Sequence, residues 1–304
     1  MHNEKRELVF IILHYMAVKD TLECISSIKQ YVQDGSAQII AVDNASPDDS
    51  GRELAEIFKD DPQVTVLRNT ENLGFARGNN TGISYALAHY DFDFCVVCNN
   101  DTLLLDEHFC EVIRNTYSET GFAVMGPMIL TADGRCDCSP ARDHLVTMAE
   151  IEERMQSERN RLKYEENRKL KILRTVRNRF RNLVRMPRRN TPVMVKKGNF
   201  ITMQKDIELH GCFLIFSRKY FEKFDGFYDK TFLYNEEQIL HLLVHHAGLL
   251  TVYQPELKIY HKEDASTNIV VRTTREKKIF TLRHSLKSLQ VLKDLYEEIQ
   301  QKAG

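Results

Sequence analysis

The chain has 304 residues, 42% of them apolar and 28% charged, with a net charge of −1. That composition supports a sizeable core, and the near-zero charge excludes a global field drawing the chain to nucleic acid. Seven cysteines, set mostly in apolar runs, point to reduced thiols and complete no zinc pattern with the histidines. A charged N-terminal segment without an apolar leader, and apolar runs far short of the ~20 residues of a membrane span, predict a cytoplasmic protein.

Leu8 to Leu13 is a continuous run rich in β-branched residues, the pattern of a strand buried on both faces. Asp20 and Thr21 open an amphipathic helix built on Leu22, Ile25, Ile28 and Tyr31/Val32. Gln38 to Val42 reads as a second strand, ending in the polar loop Asp43 to Ser50 and a helix over about 51–58. Val64 to Leu67 reads as a third strand. A stretch rich in Asn and Gly follows, from Asn69 to Gly82, with a helix expected from about Asn79 to His89. Phe94 to Cys98 forms a fourth apolar run that ends abruptly in Asn99-Asn100-Asp101. Alternation of this kind predicts a parallel sheet flanked by helices, and ligands of such sheets bind beyond the carboxyl ends of the strands.

Each strand-end loop carries suitable chemistry. Asp43 can accept hydrogen bonds from a base or a ribose. Gly74 and Gly78 permit close backbone approach, the helix start beyond them offers free N–H groups to an anion, and Arg77 suits a phosphate. The hard oxygens of Asn99-Asn100-Asp101 suit Mg²⁺ or Mn²⁺. Neither the GxGxxG fingerprint nor the Walker lysine occurs in these loops, which argues against a dehydrogenase or a P-loop NTPase.

Asp43-Asn44-Ala-Ser46, Asn72-Leu-Gly74-Phe75-Ala-x-Gly78-Asn79-Asn80-x-Gly82 and Asn99-Asn100-Asp101 together resemble the nucleotide-sugar half of family 2 glycosyltransferases of the GT-A fold, closest in flavour to the rhamnosyltransferase-like branch. The resemblance implies that Asp43 binds a uracil or thymine ring, with Asn44, Asn72, Gly74, Arg77, Asn79 and Asn100 around the donor. It also implies a divalent cation, Mg²⁺ or Mn²⁺, held on the diphosphate by the Asx-x-Asp motif. Here only Asp101 brings a full charge to that motif, with Asn99 and His261 assigned beside it.

Phe122 to Ile129 suggests a further strand, after which the composition changes. From Arg159 to Lys197 about fifteen basic residues face only Glu165 and Glu166, and Leu162, Leu170, Leu173, Val176, Phe180 and Leu183/Val184 recur at roughly helical spacing. The preferred reading is peripheral contact with anionic lipid, which would place the protein at the inner face of the plasma membrane. A solvated helical excursion is the plainer alternative. Nucleic acid is disfavoured because base-reading and aromatic groups are sparse.

Glu208-Leu-His210-Gly211-Cys212 precedes another apolar strand, and Glu236-Glu237 open a helix continued by Ile239, Leu240, Leu242, Leu243 and Val244. Acidic residues are stabilised at a helix N-terminus, but a crowded pair also raises one carboxyl pKa and prepares a general base. Gly211 with its strand, Gly226-Phe227, Phe232-Leu-Tyr234-x-Glu236-Glu237 and Tyr260-His261 look like the acceptor half of the same transferases. Their usual pair is Glu-Asp, whose second member deprotonates the acceptor hydroxyl. The resemblance therefore assigns the base to Glu237, with Glu236 as the near alternative, and places His210 and Gly211 on the acceptor side. A last strand over Val252 to Tyr260 is expected to be broken by Pro255. Arg272 to Ile299 reads as an amphipathic helix that packs on the domain, pairs two copies as a homodimer, or meets membrane; the spacing alone leaves all three open.

The expected architecture is α/β of the GT-A type, a Rossmann-like nucleotide-binding half joined to a mixed-sheet acceptor half. It divides into a nucleotide-sugar half (1–135), a basic helical insertion (136–200), an acceptor half (201–270) and a C-terminal helix (271–304). The activity the resemblance implies is inverting transfer from a UDP- or dTDP-sugar to a hydroxyl of a glycan or lipid-linked acceptor in bacterial cell-surface polysaccharide synthesis. Two rivals are a non-catalytic scaffold that binds membrane or a partner through the basic helix, and a sugar nucleotidyltransferase. The latter needs a basic glycine-rich N-terminal loop, which His14-Tyr15-Met16 does not supply.

Overall fold

The computed structural model describes residues 4–32, 37–136, 138–167, 200–262 and 274–303. The N-terminal apolar runs form four parallel strands, β1 (Glu4–His14), β2 (Ala37–Asp43), β3 (Val64–Arg68) and β4 (Tyr90–Asn99). They are joined by α1 (Val18–Tyr31), α2 (Ser50–Ile57) and α3 (Gly74–His89). Then come β5 (Thr102–Leu104), α4 (Phe109–Thr120), β6 (Val124–Thr131), α5 (Met148–Glu166), β7 (Gln204–Lys205) and β8 (Phe213–Ser217). A short α6 (Arg218–Phe221), α7 (Glu236–His246), β9 (Thr251–His261) and α8 (Thr274–Ala303) follow.

The strands make a single sheet in the order β3-β2-β1-β4-β8-β6-β9-β5, with β7 on β9. β8 is antiparallel to both neighbours, while β6 and β9 run parallel. The stretches 1–135 and 201–270 therefore share one sheet, because β8 is hydrogen-bonded between β4 and β6.

The double burial of β1 follows from its composition. Leu8, Phe10 and Ile12 pack with Cys24, Ile25 and Ile28 of α1 and Phe109 and Ile113 of α4. Val9 and Ile11 face the other way, onto Ala76, Ile83 and Ala86 of α3. A separate cluster gathers α5, α7 and α8 through Ile151, Met155, Ile239, Leu242, Leu289, Leu292 and Leu295. The apolar stripe of the C-terminal helix thus packs on its own chain.

Several boundaries differ from the sequence expectation for local reasons. α3 starts at Gly74 rather than near Asn79, because Asn72 Oδ1 accepts from Gly74 N at 2.9 Å and Phe75 N donates to Phe232 O at 2.8 Å. β9 is not broken at Pro255: the pairing jumps from Pro127↔Gln254 to Met128↔Lys258, so the proline sits in a bulge where no ladder N–H is needed. α5 holds Arg159, Arg161 and Lys163 together with Glu158, Glu165 and Glu166. The rest of the basic stretch, residues 168–199 with Leu170, Leu173, Val176, Phe180, Leu183 and Val184, lies outside the described residues. Among the described residues no helix is long and apolar enough to cross a membrane.

One side chain ties α3 to the region between α6 and α7. Asn80 Nδ2 donates to Phe227 O at 2.8 Å and its Oδ1 accepts from Phe227 N at 2.8 Å. Asn80→Ala orphans both backbone groups, and each unsatisfied group costs about 1–3 kcal/mol. We expect a loss on the order of 2–4 kcal/mol, read as a lower urea midpoint at unchanged slope.

Candidate active site

The parallel strands end together. His14 lies opposite Asp43, and Leu13 opposite Asn99. This sheet edge faces α7 and the turn that precedes it. His14 is fully buried, its Nδ1 2.7 Å from Thr21 Oγ1 and its Nε2 3.0 Å from Ser50 Oγ, so it bridges α1 and α2 behind Asp43. Burial pulls the imidazole pKa down, against the opposing pull of Asp43 and Asp48.

Asp43 is buried at the end of β2, where Oδ1 accepts from Ser46 N at 3.0 Å and Oδ2 lies 3.5 Å from Arg68 Nε. It rests directly on α2: a Cβ at Gly51 would come within 1.8 Å of Asp43 Oδ2. Gly51 had no motif to mark it in the sequence, and only the packing identifies it.

The asparagines assigned to the donor hold the loops together. Asn44 donates to Asn72 Oδ1 and to Gly74 O, both at 3.1 Å, and accepts from Asn69 Nδ2 at 3.1 Å and Leu73 N at 3.0 Å. Its amide is fully engaged in shaping the 69–74 loop. Gly74 (φ +77°) abuts Phe232 O, which a Cβ would approach to 2.1 Å. Asn79 is buried in α3 with Nδ2 on Phe75 O at 3.0 Å. Asn100 turns away from the edge, donating to Thr21 Oγ1 at 3.0 Å. Arg77 is exposed near the start of α3.

Asp101, in the turn between β4 and β5, and His261, the last residue of β9, are brought together, with Asp101 Oδ1 3.2 Å from His261 Nε2 and both side chains largely buried. The backbone fixes this pair, because Thr102 of β5 pairs with His261 and Lys262 N donates to Asp101 O at 3.0 Å. His210 stacks edge-on to His261, with ring centroids 6.0 Å apart. Among the described residues there is no group of three or more His, Cys, Asp or Glu poised to hold a metal. One carboxylate, an imidazole and the neighbouring Asn99 still fit Mg²⁺ or Mn²⁺, since such ions take one or two carboxylates and complete their shell with substrate phosphates and water.

Beside this edge opens a cavity of about 960 Å³. Glu236 and Glu237 enter it at the first turn of α7. The turn before them is unusual: Tyr234 (φ 73°) and Asn235 (φ 67°) both have left-handed backbone. Non-glycine residues hold that conformation only where surrounding contacts fix it. The contacts come from α8: Tyr234 Oη to Thr281 Oγ1 at 3.1 Å, Asn235 Nδ2 to Ser285 O at 3.2 Å and Ser288 Oγ to Leu233 O at 2.8 Å. Opposite, Gly211 lets Glu237 close on the β8 entry, where a Cβ would lie 2.6 Å from Glu237 Oε1. Glu236 is buried with Oε1 lacking a hydrogen-bond partner, and burial first, then the charge of Glu237, pushes its pKa up to about 8.

The far wall comes from the 138–154 stretch, which the sequence reading left outside the site. Ala141 N donates to Glu208 O at 2.8 Å and Glu208 N to Arg142 O at 3.1 Å, zipping that stretch onto the segment that leads into β8. Arg142 Nε pairs with Glu208 Oε2 at 3.1 Å. Burial raises the Glu208 carboxyl to about 7, Arg142 opposes the rise and Glu237 adds to it. Gln238, with its amide oxygen toward the arginines, accepts from Arg142 Nη2 at 3.0 Å and Arg154 Nη1 at 3.2 Å. Of these residues only the polar corner at Glu208 gave a sequence signal.

A sheet covered on both faces, with a carboxylate just past β4 and an acidic pair at the start of α7 in the adjoining cavity, is the GT-A arrangement. The profile of glycosyl transferase family 2 matches residues 9–225, and the chain belongs to that family of glycosyltransferases. It is 27% identical over 128 residues to the low-salt glycan biosynthesis hexosyltransferase Agl10 of Haloferax volcanii, a match covering 42% of this chain and 38% of that protein. Staphylococcus aureus TarS (1–349) superposes with a TM-score of 0.52 at 12% identity, covering 84% of this chain and 60% of that one, and the same fit holds for its UDP complex. The chain thus spans less than two thirds of these relatives.

The raised Glu236 pKa has a stability consequence. A carboxyl titrating near 4.5 unfolded and at about 8 folded binds more protons in the folded state between those values. Its contribution is therefore complete below the unfolded value and is lost as pH rises through the folded one. Glu236→Gln should flatten the fall in stability between roughly pH 5 and pH 8 by on the order of a few kcal/mol, measured by urea unfolding across that range.

Proposed function

We propose that this chain transfers a sugar, with inversion, from a UDP- or dTDP-activated donor to an acceptor hydroxyl, in the synthesis of a cell-surface polysaccharide or lipid-linked glycan. The carrying observation is the placement of Glu237. Its carboxylate lies over Gly211 in a cavity that also reaches Asn99 at the end of β4, which supports a base beside the strand edge assigned to the donor. That the TarS neighbour was solved in complex with UDP supports a nucleotide-activated donor.

In this reading Asp43 holds the base ring at the end of β2. Asp101 and His261, with Asn99, would hold the divalent cation, which would supply positive charge to the leaving diphosphate. Glu237 takes the proton of the acceptor hydroxyl as its oxygen attacks the anomeric carbon, and the bond from that carbon to the diphosphate breaks on the opposite face. Glu236, whose carboxyl burial pushes up to about 8, is kept protonated and does not compete for the proton. His210 and Gly211 line the acceptor side.

Calorimetry with UDP, dTDP and GDP, in Mg²⁺ or Mn²⁺ and again in EDTA, tests the donor site. Binding of UDP or dTDP that needs the metal and is lost in Asp101→Ala is the expected result. A folded protein that binds no nucleotide overturns it and favours a transferase-like scaffold. Glu237→Gln should bind the nucleotide normally while transfer falls by about 10²–10⁴-fold in product formation. Full-rate transfer by that variant removes the base assignment.

A further inference from the structure

The charges in the cavity beside Glu237 are unevenly matched. Arg142 meets Glu208 at 3.1 Å and Glu150 at 3.8 Å, and Arg154 meets Glu158 at 3.1 Å. His144 lies between Asp143 at 2.8 Å and Glu150 at 2.9 Å. Among the described residues, Arg142, Arg154 and His144 of the wall are thus each already paired. Glu236 and Glu237 form no ion pair among the described residues, and Glu236 Oε1 is buried without a hydrogen-bond partner. The chamber therefore offers, at Glu237 above all, a carboxylate without an ionic partner, which suits hydrogen-bond donors.

We propose that this cavity takes an uncharged saccharide as acceptor, one presenting hydroxyl groups and no phosphate or carboxylate to the wall. The inference rests on reading the cavity as the acceptor side of a transferase. A hydroxyl donates to an ionised carboxylate in a strong, short bond and leaves the wall's ion pairs intact. An anionic sugar meets Glu237 with like charge. It could recruit Arg142 only by stripping Glu208 of its partner, which leaves a buried carboxylate uncompensated. At about 960 Å³ the space is at the upper end of ordinary small-ligand pockets, roughly 300–1,000 Å³, with room for more than one sugar ring.

Saturation-transfer NMR on the full chain with UDP and Mg²⁺ tests this. The probes are methyl hexopyranosides, maltose and lactose, against glucose 6-phosphate and glucuronate. Neutral sugars should give signal, and the charged sugars should bind at least about tenfold more weakly. Glu237→Gln, alone or with Glu150→Gln, removes negative charge and should narrow that gap. Charged sugars that match or outcompete neutral ones overturn the proposal, as does the absence of signal from every neutral sugar. Calorimetry on the same samples separates the two readings: no UDP binding sinks the transferase reading itself, whereas UDP binding with a preference for charged sugars sinks only the acceptor class.

Discussion

The structure is arranged around keeping two adjacent carboxylates at a buried helix start. Removing a carboxylate from water is unfavourable unless it is paired, hydrogen-bonded or protonated. Glu236 takes the last course, and Glu237 remains at the cavity edge where Gly211 admits it. The helix N-terminus helps, since its dipole favours negative charge there. Aiming both side chains requires the left-handed turn at Tyr234 and Asn235, and such backbone persists only when over-determined. The long C-terminal helix supplies that constraint through Thr281, Ser285 and Ser288. A helix distant in sequence is thereby part of the site's scaffold.

The donor edge is built on the same logic with amides instead of helix contacts. Loops at strand ends leave backbone groups without ladder partners, and asparagine carries both a donor and an acceptor to satisfy them. Asn44 closes the 69–74 loop, Asn80 grips Phe227, and Asn100 anchors the β4 end to α1. These side chains define where Asp43 and Asp101 stand. Asp43 is the last residue of β2, whereas Asp101 stands two residues past β4 in a turn held by Asn100 on Thr21 and by Lys262 N on Asp101 O.

This difference explains what could be read from the sequence. Strands such as β1 and β4 announce themselves because burial on both faces demands an unbroken apolar run, a property of consecutive residues. The carboxylates at Asp43, Asp101, Glu236 and Glu237 stand out because they interrupt such runs or open a helix. Whether an asparagine binds a ligand or a loop depends on partners many residues away, as with Asn80 and Phe227. Composition is silent on that. The start of α3 was misplaced for the same reason, since Phe232 O holds its first turn. Pro255 suggested a break in β9 because a bulge is defined by the neighbouring strand's register. Arg142 was hidden in a stretch whose charge pattern resembles any solvated surface.

The interleaving of the sheet carries the last step. Had the residues after β6 formed a separate unit, the acidic pair and the donor edge would be linked only by a hinge. Instead β8 runs between β4 and β6, and Asn99 N donates to Cys212 O at 2.8 Å directly across the join. Gly211 and His210 are therefore held by the strand that neighbours Asn99 and Asp101. In-line transfer requires reacting groups fixed to within fractions of an ångström. Backbone pairing between β4 and β8 supplies a rigid connection, and the Arg142–Glu208 pair extends it to the far wall.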